Sequence, residues 1–344
     1  MNPDDITDRL DIDNRENIGR ALRLKGSDLG NSFSELIVYE YDQQWSDDSI
    51  GVVIILMSIV AITSNIVVIK NSRRTKIFGR FFGFLLVYRG FFESSNAFIA
   101  LTFFASYIFL AYEVSAFVNI TLSTLFIFNL TILYMLHLII SSNRCLAVFR
   151  PLQYDDIFEK KRSIWICIGI VVSAALIITS TTFYYPCSQF VFSRYRYDFL
   201  PVGCTQKNGY SLAVTKELLF GIVVAWGVIT FLALAVDLMT LVKLIVVSRK
   251  TTGDSRDRNS ATFYRNVRVF LQTFFLNMVV CAGVIATHVV SEHFVNSFER
   301  FWFVHFQVLL GFALNGVTPL IVHRELRSRS RTTVVANARQ NTSR

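Results

Sequence analysis

Apolar residues in this 344-residue chain run in long unbroken blocks, without the alternating or three-to-four spacing of soluble elements. A helix needs about 20 such residues to cross the hydrocarbon core of a bilayer. Five blocks of that length, at 50–69, 120–140, 164–185, 269–290 and 301–322, contain no Asp, Glu, Lys or Arg. A sixth, 218–242, contains one charge, Asp237, and a longer one, 81–110, carries Arg89 and Glu93. Backbone polar groups in lipid must be satisfied within the segment, so the blocks predict helices and not strands. The expected architecture is an all-α membrane protein, a seven-transmembrane-helix bundle with short loops.

Composition removes the soluble alternatives. Apolar residues make up 53% of the chain, Phe numbers 32, and charged residues are 17% against about 25% in ordinary globular domains. A net charge of +9 would suggest nucleic acid as partner of a soluble protein. In a membrane protein it becomes a question of sidedness. With the amino terminus outside, the inner segments 70–80, 143–163, 243–268 and 323–344 hold 22 Lys/Arg, leaving Lys243 with its helix, and the outer segments hold 10. The positive-inside bias therefore predicts the amino terminus outside and the carboxyl terminus inside. The inner face, with 22 bases and 6 acids, then carries +16, and the outer face, with 10 bases and 17 acids, carries −7. Such a polarised chain meets the lipid bilayer and a signalling partner, and no nucleic acid. Residues 1–48, with twelve acids, five bases and no apolar run, are read as an extracellular acidic tail, mostly disordered apart from a short helix near 14–24, and no cleaved leader is expected. Residues 49–325 form the seven-helix domain, and 326–344 a cytoplasmic basic tail.

No pattern for catalysis is present. The chain has no P-loop, no GxGxxG, no HExxH and no GxSxG, and no Cys/His/Asp spacing suits a metal. We expect no enzyme and no cofactor. Glu93 and Asp237 could form a carboxylate pair only on facing helices at one depth, but Asp237 lies near the inner end of its span and Glu93 nearer the middle of its own. Arg89 and Glu93, spaced i,i+4, share a helix face. Either they neutralise each other, or Glu93 meets a cationic ligand or a sodium ion. Asp237 is expected to pair with Lys243 or to face a water-filled inner cleft. His305 and Phe306 belong either to an interfacial aromatic belt or to an outer ligand pocket between helices.

The strongest local signal closes the third span, where Asn143-Arg144-Cys145-Leu-Ala-Val-Phe-Arg-Pro151-Leu-Gln-Tyr154 places a permanent cation at the inner mouth of the bundle. Pro151 should end that helix. Here the chain resembles the G-protein-coupled receptors. Asn143-Arg144-Cys145 stands where that family has Asp-Arg-Tyr, and Asn315-Gly-Val-Thr-Pro319 where it has Asn-Pro-x-x-Tyr. The acid of the first motif and the tyrosine of the second are missing, and the sixth span has no proline. With Phe82-Gly83-x-Leu85, the run ending at Ile157-Phe158, and Tyr185-Pro186-Cys187…Cys204, these departures are most similar to the nematode chemosensory receptors of serpentine class x.

The resemblance implies a multi-pass plasma-membrane receptor, in sensory cilia of neurons, that converts binding of a small molecule or peptide into activation of a heterotrimeric G protein. Asn143, Arg144, Cys145, Pro151 and Tyr154 would couple, Asn315 and Pro319 would switch the seventh helix, and Glu93, Arg89, His305 and Phe306 are the ligand-pocket candidates. Receptors of this kind tie the second outer loop to the third helix by a disulfide. Residues 107–120 contain no Cys, so the bridge is expected within the loop, between Cys187 and Cys204. Closing that loop would contribute roughly 3 kcal/mol; two free thiols are the alternative. Asn119-Ile-Thr121 is an outward sequon close to the membrane. A ligand-gated channel or small carrier is the competing function, although only Arg89 and Glu93 approach the charged midplane path a carrier needs.

Overall fold

The computed structural model describes residues 29–72, 80–109, 114–150, 153–184, 189–193, 197–202, 212–251, 259–286 and 297–323. They form α1 (Leu29–Ser72), α2 (Arg80–Ile99), α3 (Ala105–Phe109), α4 (Ala116–Phe149), α5 (Tyr154–Ile157), α6 (Lys160–Tyr184), β1 (Gln189–Ser193), β2 (Asp198–Val202), α7 (Leu212–Thr251), α8 (Asn259–Ile285) and α9 (Ser297–Val322). The short helix read near 14–24 lies outside the described residues, as do the tail 326–344, Pro151, Cys187 and Cys204.

Among the described residues, α1, α4, α6, α7, α8 and α9 are long and apolar enough to cross a membrane. The block at 81–110 folds differently from its neighbours. Its charges Arg89 and Glu93 dilute its apolarity, and a π turn at Ala100–Phe104 separates α2 from α3. The helices also outrun the apolar blocks. α1 begins at Leu29, within the region read as a mostly disordered tail, since helical hydrogen bonding continues beyond the apolar stretch. α4 starts where Ser115 caps it, its hydroxyl accepting from Val118 N at 3.4 Å. It stops at Arg150, whose φ −135° and ψ 62° lie outside the helical region, which a following proline disfavours.

The axial element is α4, which touches α2, α6, α7, α8 and β1. Of its apolar stretch 61% is buried, against 28% for α6 and α7. Around it α1 packs on α2 and α9, α9 on α8, and α8 on α7, forming an arc, with α6 against α4 and α2. Large apolar side chains such as Phe91, Leu176 and Phe231 point outward, while Ser58, Asn96, Ser123, Ser141 and Asp237 are fully enclosed. In lipid, apolar burial gives helices no reason to associate, so close packing of small residues and interhelical hydrogen bonds must hold them. At the α1–α9 seam, Gly316 lies so close to Ser64 that a Cβ would collide with its hydroxyl and stand 2.9 Å from Asn65 N. Asn65 Nδ2 donates across the same seam to Phe312 O at 3.2 Å.

One element departs from the expected all-α bundle. β1 and β2 form an antiparallel hairpin, with Gln189 opposite Val202 and Ser193 opposite Asp198. Its Phe192 amide donates to Asn119 Oδ1 at 2.9 Å, and Asn119 Nδ2 donates to Phe192 O at 3.1 Å. Tyr197, in the turn with φ 46°, hydrogen-bonds Asp47 on α1. Asn119 is buried and both its side-chain groups are engaged, so the sequon at 119 is a structural clasp and not an exposed glycan acceptor.

Candidate functional site

Among the described residues the interior holds an α2–α4 contact in which Asn129 Nδ2 donates to Asn96 Oδ1 at 3.0 Å, two further polar networks, and one arginine. The first network joins α2 to α9. Arg89 Nε lies 3.3 Å from Glu93 Oε1, so the i,i+4 pair predicted from spacing forms, with both side chains no more than 3% exposed. Asn315 Nδ2 donates to the same carboxylate oxygen at 2.6 Å, and Arg89 Nη2 donates back to Asn315 O at 3.4 Å. An ion pair buried away from water persists only when further hydrogen bonds satisfy it, and Asn315 supplies them. Pro319 lies one turn further along α9, inside the helix.

The second network joins α4, α7 and α8. Asn277 Nδ2 donates to Asp237 Oδ2 at 2.6 Å and lies 2.7 Å from Ser141 Oγ, and Asn277 Oδ1 is 2.7 Å from His137 Nδ1. This corrects the expectation for Asp237. The carboxylate is enclosed and held by an amide, while Lys243 Nζ instead lies over the Phe149 ring, 5.5 Å from its centre. On a straight helix Lys243 stands more than a turn and a half beyond Asp237, too far along the axis for a direct ion pair.

At the end of α4 the Arg144 guanidinium stacks on Phe82 of α2, with Cζ 3.3 Å from the ring centre. Its Nε and Nη2 meet no hydrogen-bond acceptor among the described residues. The preceding residue, Asn143, is buried and pairs with the Tyr154 hydroxyl, Oδ1 at 2.7 Å and Nδ2 at 2.9 Å. Tyr154 begins α5, and Phe158 just beyond it stacks on Phe81 at 4.3 Å. The loop after α4 is therefore anchored through residues of the motif itself. Cys145 is a half-buried free thiol. His323, past the end of α9, is 3.1 Å from Gln272 Oε1; burial, then the charges of Arg144 and Arg268, push its imidazole down to about 4.

Glu93 and Asn315 also line a cavity of ≈ 50 Å³ between α4, α8 and α9, together with Tyr134, His137 and Gln307. By the requirement of roughly 10–15 Å³ per water, it has room for several small molecules of that size. Among the other ligand-pocket candidates, Arg89 stands behind Glu93 and outside the lining. His305 is in an aromatic cluster under the hairpin, its ring 5.6 Å from Phe192 and 5.4 Å from Phe199. Phe306 packs edge-on to Trp302 at 4.9 Å. The four candidates thus fall in two places, Glu93 with Arg89 at mid-bundle and His305 with Phe306 toward the hairpin.

Sequence reasoning missed Asn65, His137, Asn277 and the clasp role of Asn119. The signal was present for the first three, as polar residues inside apolar spans face the bundle interior.

A family model for the serpentine type 7TM GPCR chemoreceptor Srx matches residues 55–323, from within α1 to the end of α9. Among curated proteins none matches the chain. With the polar-cored bundle of apolar helices, this match places the molecule: the chain belongs to the serpentine class x chemoreceptors and is a multi-pass plasma-membrane receptor of the G-protein-coupled kind.

Proposed function

We propose that the chain is a chemosensory receptor that binds an external small molecule or peptide and activates a heterotrimeric G protein. It spans the membrane seven times, with α2 and α3 together as the second crossing. The amino-terminal segment 1–48 faces outside, 49–325 is the receptor domain and the basic segment 326–344 faces the cytoplasm. The positive-inside count supports this sidedness. Asn143, Arg144, Cys145, Pro151 and Tyr154 form the coupling face, and Asn315 with Pro319 the switch in α9.

The observation that carries this reading is Arg144. A permanent cation at the inner end of the axial helix rests on an aromatic face, with two guanidinium nitrogens that meet no hydrogen-bond acceptor among the described residues. An incoming helix end, with its carbonyls exposed, suits those donors. Ligand binding would then need only to favour the bundle state in which the guanidinium is accessible.

The test is reconstitution of the receptor with a heterotrimeric G protein and a panel of volatile and water-soluble cues. Cue-triggered nucleotide exchange is expected, lost in Arg144→Ala at unchanged surface expression. Ion flux without G protein would overturn the receptor reading, and undiminished exchange in Arg144→Ala would remove the coupling role.

A further inference from the structure

Among the described residues, the end of the bundle that carries the hairpin is filled by packed rings. Phe192, Tyr197 and Phe301 are each no more than 2% exposed. Phe104 stacks on Phe192 at 4.4 Å, and the His305 ring is sandwiched against Phe192, Phe199 and Phe301. The cover is tied down at two points, by Asn119 to α4 and by Asp47 to α1. The cavity at Glu93 and Asn315 lies between helices, apart from this stack.

The walls of that cavity are unequal. Glu93, Leu133, His137, Phe312 and Asn315 are buried, while Leu130 and Tyr134 of α4 are partly exposed. The α8 and α9 residues Val279, Val280, Gly283, Gln307, Val308 and Gly311 are all partly exposed. Two of these six are glycines. A Cβ at Gly311 would have nothing within 4 Å, and one at Gly283 would meet only Gln307 Cβ, at 3.7 Å. Small residues thin the wall at the α8–α9 seam.

The polar chemistry is one-sided as well. Asn65 also stands near the Glu93 carboxylate, but among the described residues Glu93 Oε2 and Asn315 Oδ1 are enclosed acceptors that no donor meets within hydrogen-bond distance, and both residues line the cavity. Unmade hydrogen bonds of this sort cost free energy until a donor reaches them. A net positive charge is not required, because Arg89 already balances Glu93. A charged ligand would also be penalised on a path through lipid.

We propose that the α8–α9 cavity binds small, uncharged, mainly apolar molecules that carry a hydrogen-bond donor, of the aliphatic alcohol class, and that they reach it sideways from the bilayer through the seam at Gly283 and Gly311. This rests on the chemoreceptor reading above for its purpose and names the ligand class and route for the same site.

The test uses the full-length receptor in lipid nanodiscs with Gly311→Cys, and with Cys145, Cys167 and Cys281 replaced by Ser. Open space at Gly311 accommodates the thiol; Gln307→Cys is the second reporter position on the seam. Labelling by N-phenylmaleimide, which partitions into lipid, is compared with labelling by a disulfonated maleimide that does not. The apolar reagent is expected to label faster by at least about tenfold. At matched bilayer concentration, 1-propanol should slow that labelling about tenfold more than propane, the factor one made hydrogen bond can contribute. Equal labelling by both reagents, equal protection by propane, or no protection by propanol overturns the proposal. The readout involves no G protein, so its failure and the failure of coupling are distinguishable.

Discussion

Asn119 of α4 and Phe192 of β1, 73 residues apart, exchange two hydrogen bonds through one side chain, as neighbouring strands do through their backbones. The amide group of Asn119 thereby serves as a one-residue continuation of the hairpin edge, fastening it to the axial helix. Ser123 Oγ adds a third contact, accepting from Phe192 N at 3.2 Å. Asn119→Ala leaves Phe192 O without that donor inside a buried layer, at a cost of about 1–3 kcal/mol. A fall in melting temperature of the purified receptor is the expected result. Glycosidase treatment of wild-type receptor should release no glycan from position 119; a glycan there would contradict the clasp.

Two glycines on α9 should respond oppositely to the same change. Gly316→Ala pushes a methyl into Ser64 and Asn65, and separating α1 from α9 should cost about 1–3 kcal/mol. Gly311→Ala adds its methyl to open space and should be neutral or slightly stabilising, since alanine is the better helix former. Thermal denaturation of both variants in one detergent checks the pair.

Asp237 and Asn277 should be energetically coupled, and Asp237 and Lys243 should not. The 2.6 Å contact between the first two is buried, whereas Lys243 lies over Phe149. A double-mutant cycle with Asp237→Ala and Asn277→Ala is expected to give a coupling of about 1–3 kcal/mol. The same cycle with Lys243→Ala should give a value near zero.

For Cys187 and Cys204, outside the described residues, the proposal of a bridge within the loop draws support from strand register. Gln189 pairs with Val202, and in the sequence the two cysteines stand two positions before the first and two after the second. Non-reducing peptide mapping should recover the two cysteines in one disulfide-linked fragment. Cys187→Ser and Cys204→Ser should lower stability by similar amounts, on the order of 2–4 kcal/mol, and the double variant no further.

Much of the site was legible in the chain and much was not, for reasons that differ by residue. Arg89 and Glu93 were readable because i,i+4 spacing on a helix is geometry carried by local sequence. The end of α4 was readable because a residue before proline leaves the helical region of backbone space. The partner of Asp237 was not. Sequence proximity favoured Lys243, and only the packing of α7 against α8 brings Asn277 to the carboxylate. His305 and Phe306 adjoin in sequence, yet one joins the rings beneath the hairpin and the other packs against Trp302.

The sequence by itself determined that this is a membrane-spanning helical chain with polarised ends, because the cost of exposing backbone groups to hydrocarbon leaves runs of about 20 apolar residues little choice. Its ordered motifs also determined the receptor family to which it belongs. Only the tertiary structure decided which face of each helix turns inward. Blocks apolar on every side carry weak periodicity, so orientation comes from where a few polar residues find one another. Glu93 meets Asn315 across 222 positions, Asn277 meets Asp237 across 40, and Asn119 meets Phe192 across 73. The same packing decided that a hairpin covers one end of the bundle, and that two glycines stand on the α8–α9 side of the cavity at Glu93.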